Sequence, residues 1–171
     1  LVNAYSFPYY WEVFKEKAKA VNNATVGAAA DLDTSNTIYS YNGLGYYQLS
    51  SSFTPKTSVT IFLISGSLEI TQNFSIDPAY SVVFVVNGNI FVAGDVTRIP
   101  GLYISSQIFT VASGANQFIL DGMIYSKYVS LNRTYRSFSN PTYQFIYQPK
   151  YVISLIPYLG RKSVVWQEVT L

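Results

Sequence analysis

Four strings recur along the chain with one shape: ISGSL (64–68), VNGNI (86–90), ISSQI (104–108) and LDGMI (120–124). Each reads apolar, small polar, small, variable, apolar. Their central residues are Gly66, Gly88, Ser106 and Gly122, at separations of 22, 18 and 16 residues. A looser copy, YNGL (41–44), sets Gly43 another 23 residues upstream. Taken alone, the Asn-Gly pair in VNGNI signals a hairpin. A recurring string at about twenty residues signals something else, the coil of a solenoid with insertions at its corners. Hairpins pair each run with its immediate neighbour, whereas a solenoid stacks each run on its copy one coil later, in parallel.

The flanking runs fit that arrangement. VTIFLI (59–64), SVVFVV (81–86), LYIS (102–105) and QFIL (117–120) enter the corners, and LEIT, IFVA, IFTV and IYSK leave them. All are rich in β-branched and aromatic residues. Glycine at a corner permits a sharp change of direction and close approach of successive coils. A β-sandwich has turns at similar spacing, but it does not require the corner string to repeat. The expected fold is therefore all-β: a right-handed parallel β-solenoid of about five coils, with Gly43, Gly66, Gly88, Ser106 and Gly122 as stacked corner positions.

Outside the coils, YYWEVFKEKAKAV (9–21) has Trp11, Phe14, Ala18 and Val21 on one helical face and Glu12, Lys15, Glu16 and Lys19 on the other. It predicts one amphipathic helix over 9–21, suited to capping the first coil, whose open edges otherwise invite aggregation. VNNATVGAAADLDTSN (21–36) reads as a loop. Pro141, Pro149 and Pro157 break the tail into short extended pieces that cover the other end or a flank. The whole, 1–171, reads as a single domain: capping helix 9–21, solenoid coils 38–132, and C-terminal extension 133–171 packed on the solenoid.

Composition narrows the function classes. Charged residues make up 12% of the chain, against about 25% in ordinary soluble domains. Sixteen tyrosines exceed what one core absorbs, so many are expected at the surface. The eleven basic residues are scattered and form no stripe, which argues against nucleic acid. With no Cys there is no disulfide framework, and with no His the usual general base and commonest metal ligand are missing. No apolar run approaches the roughly 18 residues that span a bilayer. The chain begins at Leu1 without a signal-peptide pattern, and reads as a processed product or the terminal piece of something longer. Sequons at Asn23, Asn73 and Asn132 are about as many as chance supplies.

The succession of an aromatic-rich opening helix, VFVVNGNIFVAGDVT, GLYISSQIFTV, FILDGMIYSKYVSLNR, NPTYQFIYQPKYVISLIPYLG and the closing VVWQEV resembles a known architecture. It is similar to the C-terminal β-solenoid domain of large surface-exposed or type IV pilus-associated proteins of uncultivated, small-genome bacteria. The resemblance covers about residues 38–169, and its motifs are structural. It implies an exported, cell-surface module of a kind usually not catalytic, and supplies no active site to carry over; no cofactor is expected. The abundance of Tyr and Ser106 in place of a corner glycine depart from the pattern.

Candidate chemistry is sparse. Glycoside cleavage needs two carboxylates, and Asp95 and Asp121 are the pair one solenoid face could assemble. Asp121 is also explained as a turn former. DLDTSN (31–36) alternates oxygen ligands as a Ca²⁺ loop does, but lacks the loop's glycine and closing Glu, so a capped loop is expected and no metal site is assigned. Arg133 and Arg136 read as an exposed pair at the solenoid's exit, and Trp166 as a residue docked on its flank or end. Tyr39, Tyr41, Tyr46, Tyr47, Tyr125 and Tyr128 are the candidate surface contacts, because aromatic faces stack on sugars and serve as interface anchors; the alternative is that they are ladder residues stacking on one another between coils. The expected function is a non-catalytic structural or adhesive cell-surface module. Its Tyr-rich face would meet another surface protein, a filament neighbour made of the same chain, or a glycan. The alternative is a carbohydrate-active solenoid hydrolase or lyase.

Overall fold

The computed structural model describes residues 7–49, 53–137 and 139–159. Within them the chain forms α1 (Phe7–Lys15), β1 (Lys19–Val21), β2 (Ile38–Tyr41), β3 (Tyr46–Leu49), β4 (Val59–Ile64) and β5 (Ser67–Ile70). There follow β6 (Ser81–Val86), β7 (Ile90–Val92), β8 (Arg98–Val111), β9 (Phe118–Leu131), β10 (Tyr143–Ile146) and α2 (Lys150–Ile153). Every strand pairing among the described residues is parallel, and from β2 to β7 strands adjacent in sequence skip one another: β4 pairs with β2 and β6, β5 with β3 and β7. The first ladder runs β1, β2, β4, β6, the opening halves of β8 and β9, then β10. The second runs β3, β5, β7 and the closing halves of β8 and β9. The fold is a β-solenoid of about six coils. The expected five missed β1 at one end and β10 at the other.

The two ladders differ because their outer faces differ. β4 and β6 are buried at every position, whereas β5 alternates. Along the first ladder, inward residues Tyr39, Phe62, Phe84 and Tyr103 stand in register. Phe84 stacks at 5.3 Å on Phe62 and at 5.1 Å on Tyr103, with ring planes 24° and 7° apart. The outward residues Ile61, Leu63, Val83, Val85, Leu102 and Ile104 are buried too, under Tyr10 and Phe14 of α1 and under Tyr151 and Leu155.

This corrects the role of the opening helix. It spans Phe7–Lys15, not 9–21, and lies across β4, β6 and β8 rather than over the first coil. Residues 19–21 leave the helix because pairing with β2 satisfies their backbone and sets Val21 opposite Tyr41 in the core. The end of the first coil is closed by the segment read as a loop. Val26 and Leu32 are buried there, and Thr25 bridges to Gln48. The Tyr41 hydroxyl accepts the Gly27 N–H at 3.1 Å, and the Tyr39 hydroxyl accepts the Asp33 N–H at 3.0 Å. The Asp33 carboxylate takes Lys19 Nζ at 2.9 Å and the Asn36 backbone N–H at 2.8 Å, and these bonds hold it well below the usual carboxylate range. DLDTSN is thus a capped loop whose second acid is already occupied.

The corners form columns. Gly66 lies against Gly45 and Gly43, and a Cβ on Gly88 would come within 2.7 Å of the Gly66 oxygen. Ser65 Oγ binds the Gly43 N–H at 2.7 Å, and Ser105 Oγ donates to the Gly88 carbonyl at 2.7 Å, carrying the column to Ser105-Ser106. The next corner is Ser126-Lys127, where Ser126 Oγ donates to the Gln107 carbonyl. Gly122 is therefore not a corner. It lies inside β9 opposite Gly101, with its neighbours in the first ladder. A second column joins Gly94 and Gly114 on the far side of the coil. Arg133, expected to be exposed, is 8% exposed above it. Its guanidinium donates to the carbonyls of Gly94, Ala93 and Val96 and lies over the Phe118 ring.

Burial pushes the Tyr41 and Tyr151 phenols up to about 12, and the wholly enclosed Tyr103 well above its ordinary value. Tyrosines of an unfolded chain ionise near pH 10. Between roughly pH 10 and 12 the unfolded state then sheds protons that the folded state keeps, so stability is full below 10 and falls above it. Alkaline titration should show a cooperative rise in tyrosinate absorbance coincident with loss of the β circular dichroism signal. Full tyrosine ionisation with the β signal intact would contradict this.

Candidate functional site

The second ladder's outer face is built by strand alternation. In β3, β5, β7 and the closing halves of β8 and β9, every second side chain enters the core, and the residues between point outward. Register aligns Gln48, Glu69, Phe91, Thr110 and Ser130 in one outward row. A parallel row holds Tyr46 opposite Ser67 and Ile108 opposite Tyr128. Asn89 joins its halves, donating from its N–H to Ser67 Oγ and accepting the Ile108 N–H. Five strands at about 4.8 Å make a face roughly 19 Å across.

Both helices pack on the first ladder, so this face keeps its apolar groups in solvent. Tyr46 is 72% exposed, Tyr128 58%, and Phe91 and Ile108 37% each. Between them lie amides and hydroxyls, with Gln48 Nε2 donating to Glu69 Oε2 at 3.1 Å. Lys127 sits at the margin, its ammonium 5.4 Å from the Tyr128 ring centre. A flat surface of aromatic and aliphatic groups interleaved with neutral polar ones can stack on apolar faces of a partner while satisfying its polar edges.

The candidate tyrosines separate. Tyr46 and Tyr128 belong to this face, at opposite ends of one row. Tyr47 is half-buried and meets Tyr41 edge-on at 5.7 Å. Tyr39 and Tyr41 are buried, and their hydroxyls close the first coil, which overturns their placement at the surface. Tyr125 is half-buried on the other ladder, beside the helices. Phe91, Ile108, Asn89 and Gln48 were missed; alternation in YYQL, SLEI, NIFV and SQIFTV carried that information once the ladder was known. Trp166 lies outside the described residues.

Charged groups converge elsewhere. A cleft of about 440 Å³ between the 74–78 loop and the start of α2 is lined by Arg98, Asp121, Gln148, Lys150 and Tyr151, among others. Arg98 Nε meets Asp121 Oδ2 at 2.5 Å, which raises the Arg98 pKa. Lys150 Nζ donates to the carbonyls of Pro78 and Tyr80 at 3.1 and 3.2 Å, tying the loop to α2. Among the described residues Asp121 is the one carboxylate lining the cleft; Asp95 does not line it. The described residues contain no cluster of three or more acidic groups that could hold a metal ion, and no helix long and apolar enough to cross a membrane. No protein-family model, curated protein or solved structure matches the chain.

Proposed function

We propose that the chain is a non-catalytic structural or adhesive module of the cell surface, and that the second ladder's outer face is where it meets its partner. The observation that carries this is the asymmetry of the solenoid. One outer face is covered by two helices, whereas no described helix packs on the other, where Tyr46, Phe91, Ile108 and Tyr128 are exposed. A rigid ladder holds these groups in place at little conformational cost, which is what a contact surface needs. The partner is another surface protein, a filament neighbour or a glycan; the resemblance to pilus-associated surface domains supports the exterior location. The Arg98–Asp121 cleft supports a carbohydrate-active enzyme less well, because hydrolysis by the two-acid route needs a second carboxylate beside Asp121.

The test is a glycan array and a co-purification from envelope fractions, run with the native chain and with Tyr46→Ser, Phe91→Ser and Tyr128→Ser combined. Binding should weaken by about tenfold or more while the melting temperature stays near that of the native chain. Capture that is indifferent to all three substitutions would remove this face from consideration.

A further inference from the structure

The cleft between the 74–78 loop and the start of α2 is built from fixed parts. Inward Ile99 and Leu120 leave Arg98, Pro100 and Asp121 on the outer side of the first ladder, where register sets Pro100 beside Asp121. The loop that faces them is fastened at both ends. At its base, Asn73 Oδ1 accepts the backbone N–H groups of Thr97 and Arg98 at 2.7 and 2.9 Å. Near its far end, the Lys150 ammonium holds the Pro78 and Tyr80 carbonyls. The space they enclose, about 440 Å³, is preformed and of the size that takes a small molecule. Its polar groups are only partly used. Arg98 gives its Nε–H to Asp121 Oδ2, and its two terminal Nη groups meet no acceptor among the described residues. They form the end-on pair of donors that fits a carboxylate. Asp121 Oδ1 and the Gln148 side-chain amide have no partner among the described residues either. Nor does Lys150 pair with a described carboxylate, so the lining residues carry two cations against one anion.

We propose that this cleft binds the carboxylate-bearing ring of an acidic sugar, a hexuronic acid unit, without cleaving it. The sugar carboxylate meets the Nη pair of Arg98, and the Lys150 charge adds attraction. Neighbouring ring hydroxyls donate to Asp121 Oδ1 and to the Gln148 side-chain oxygen. The C–H face of the ring lies on the apolar wall that Ile76, Pro78 and Pro100 supply. Asp121 decides between ligands. A simple anion bound to Arg98 would face the Asp121 carboxylate with nothing between them, and like charges repel. A hydroxyl on the same ring as the carboxylate turns that repulsion into a hydrogen bond. A neutral sugar fails differently, because it leaves both cations unmatched. The site lies on the first ladder, away from the face assigned to the partner, and the inference does not rest on that reading.

The probe is D-glucuronate, followed through the amide NMR shifts of Ile76, Arg98, Asp121 and Gln148 in the full chain. A ligand of its size should bind with a Kd of about 1 mM or tighter. Glucose and acetate should bind at least about tenfold more weakly. Arg98→Gln should weaken glucuronate by about tenfold or more. Its melting temperature should stay near that of the native chain, because the Arg98 side chain is 57% exposed. Asp121→Asn should narrow the gap between glucuronate and acetate, since it removes the repulsion that acetate meets. The combined Tyr46→Ser, Phe91→Ser and Tyr128→Ser chain should bind glucuronate as the native chain does, which separates this site from the partner face. No shift at the four amides well above that Kd overturns the proposal, as does a shift that Arg98→Gln leaves unchanged. So does glucose, acetate or the free carboxylate of an N-acetyl dipeptide binding as tightly as glucuronate.

Discussion

Phe84→Ala should be among the most damaging single substitutions in this chain, lowering stability by about 3–5 kcal/mol and the melting temperature by roughly 10 °C. Phe84 is fully buried and stands third in a row of four stacked inward aromatics. Phe62 and Tyr103 lie on its two faces and Phe74 meets it edge-on at 6.3 Å. Truncation removes the largest apolar group of the middle coil, and the surroundings are poorly able to close the gap. Phe62 and Tyr103 are each fixed by a strand paired on both sides, so their collapse toward the void would stretch the ladder. The cavity term therefore stays near its full size. Phe91→Ala on the uncovered face is the control, and should fall within about 1 kcal/mol because the ring is already partly in water. Urea denaturation of both variants measures the difference. Equal losses at the two positions would mean that the aromatic row is not a packed core.

The coils were legible because their signal is local and repeated. VTIFLI and SVVFVV are unbroken apolar runs since they are buried on both sides, and the corner strings recur since Gly66 and Gly88 must lie against the backbone of the preceding coil. The hidden parts depended on what the chain meets in space. KAV at 19–21 continues the helical spacing of α1, and only the exposed edge of β2 makes a strand the better state. Tyr39 and Tyr41 look like surface groups until the 27–36 segment folds over them and supplies partners for their hydroxyls. Arg133 gives no sign in sequence that three carbonyls at the Gly94 corner await it. The uncovered face had the same limitation: Tyr46 and Tyr128 are 82 residues apart in sequence, and which intervening residues share their row is set by register.

The LDGMI string misled for a physical reason that makes its own prediction. Its glycine resembles the corner glycines Gly66 and Gly88 in admitting a carbonyl from the coil before, yet Gly122 does so in mid-strand. A Cβ there would collide with the carbonyl oxygen of Gly101 and stand 2.8 Å from its carbon. The obstacle is backbone, and it cannot rotate aside. Gly101 cannot easily shift either, since its φ of +121° is closed to most side-chain-bearing residues and Val82 lies against it. Gly122→Ala should accordingly lower stability by about 2–3 kcal/mol and Gly122→Val by more, through forced separation of β8 and β9 rather than loss of any contact. Ser126→Ala, at the true corner of that coil, removes a hydroxyl shared between the Gln107 and Tyr128 carbonyls and should cost about 1 kcal/mol. Thermal unfolding of the three variants orders them. If Gly122→Ala proves as mild as Ser126→Ala, the close approach of β8 and β9 at Gly101 is wrong, and with it the register that places every outward residue of the last two coils.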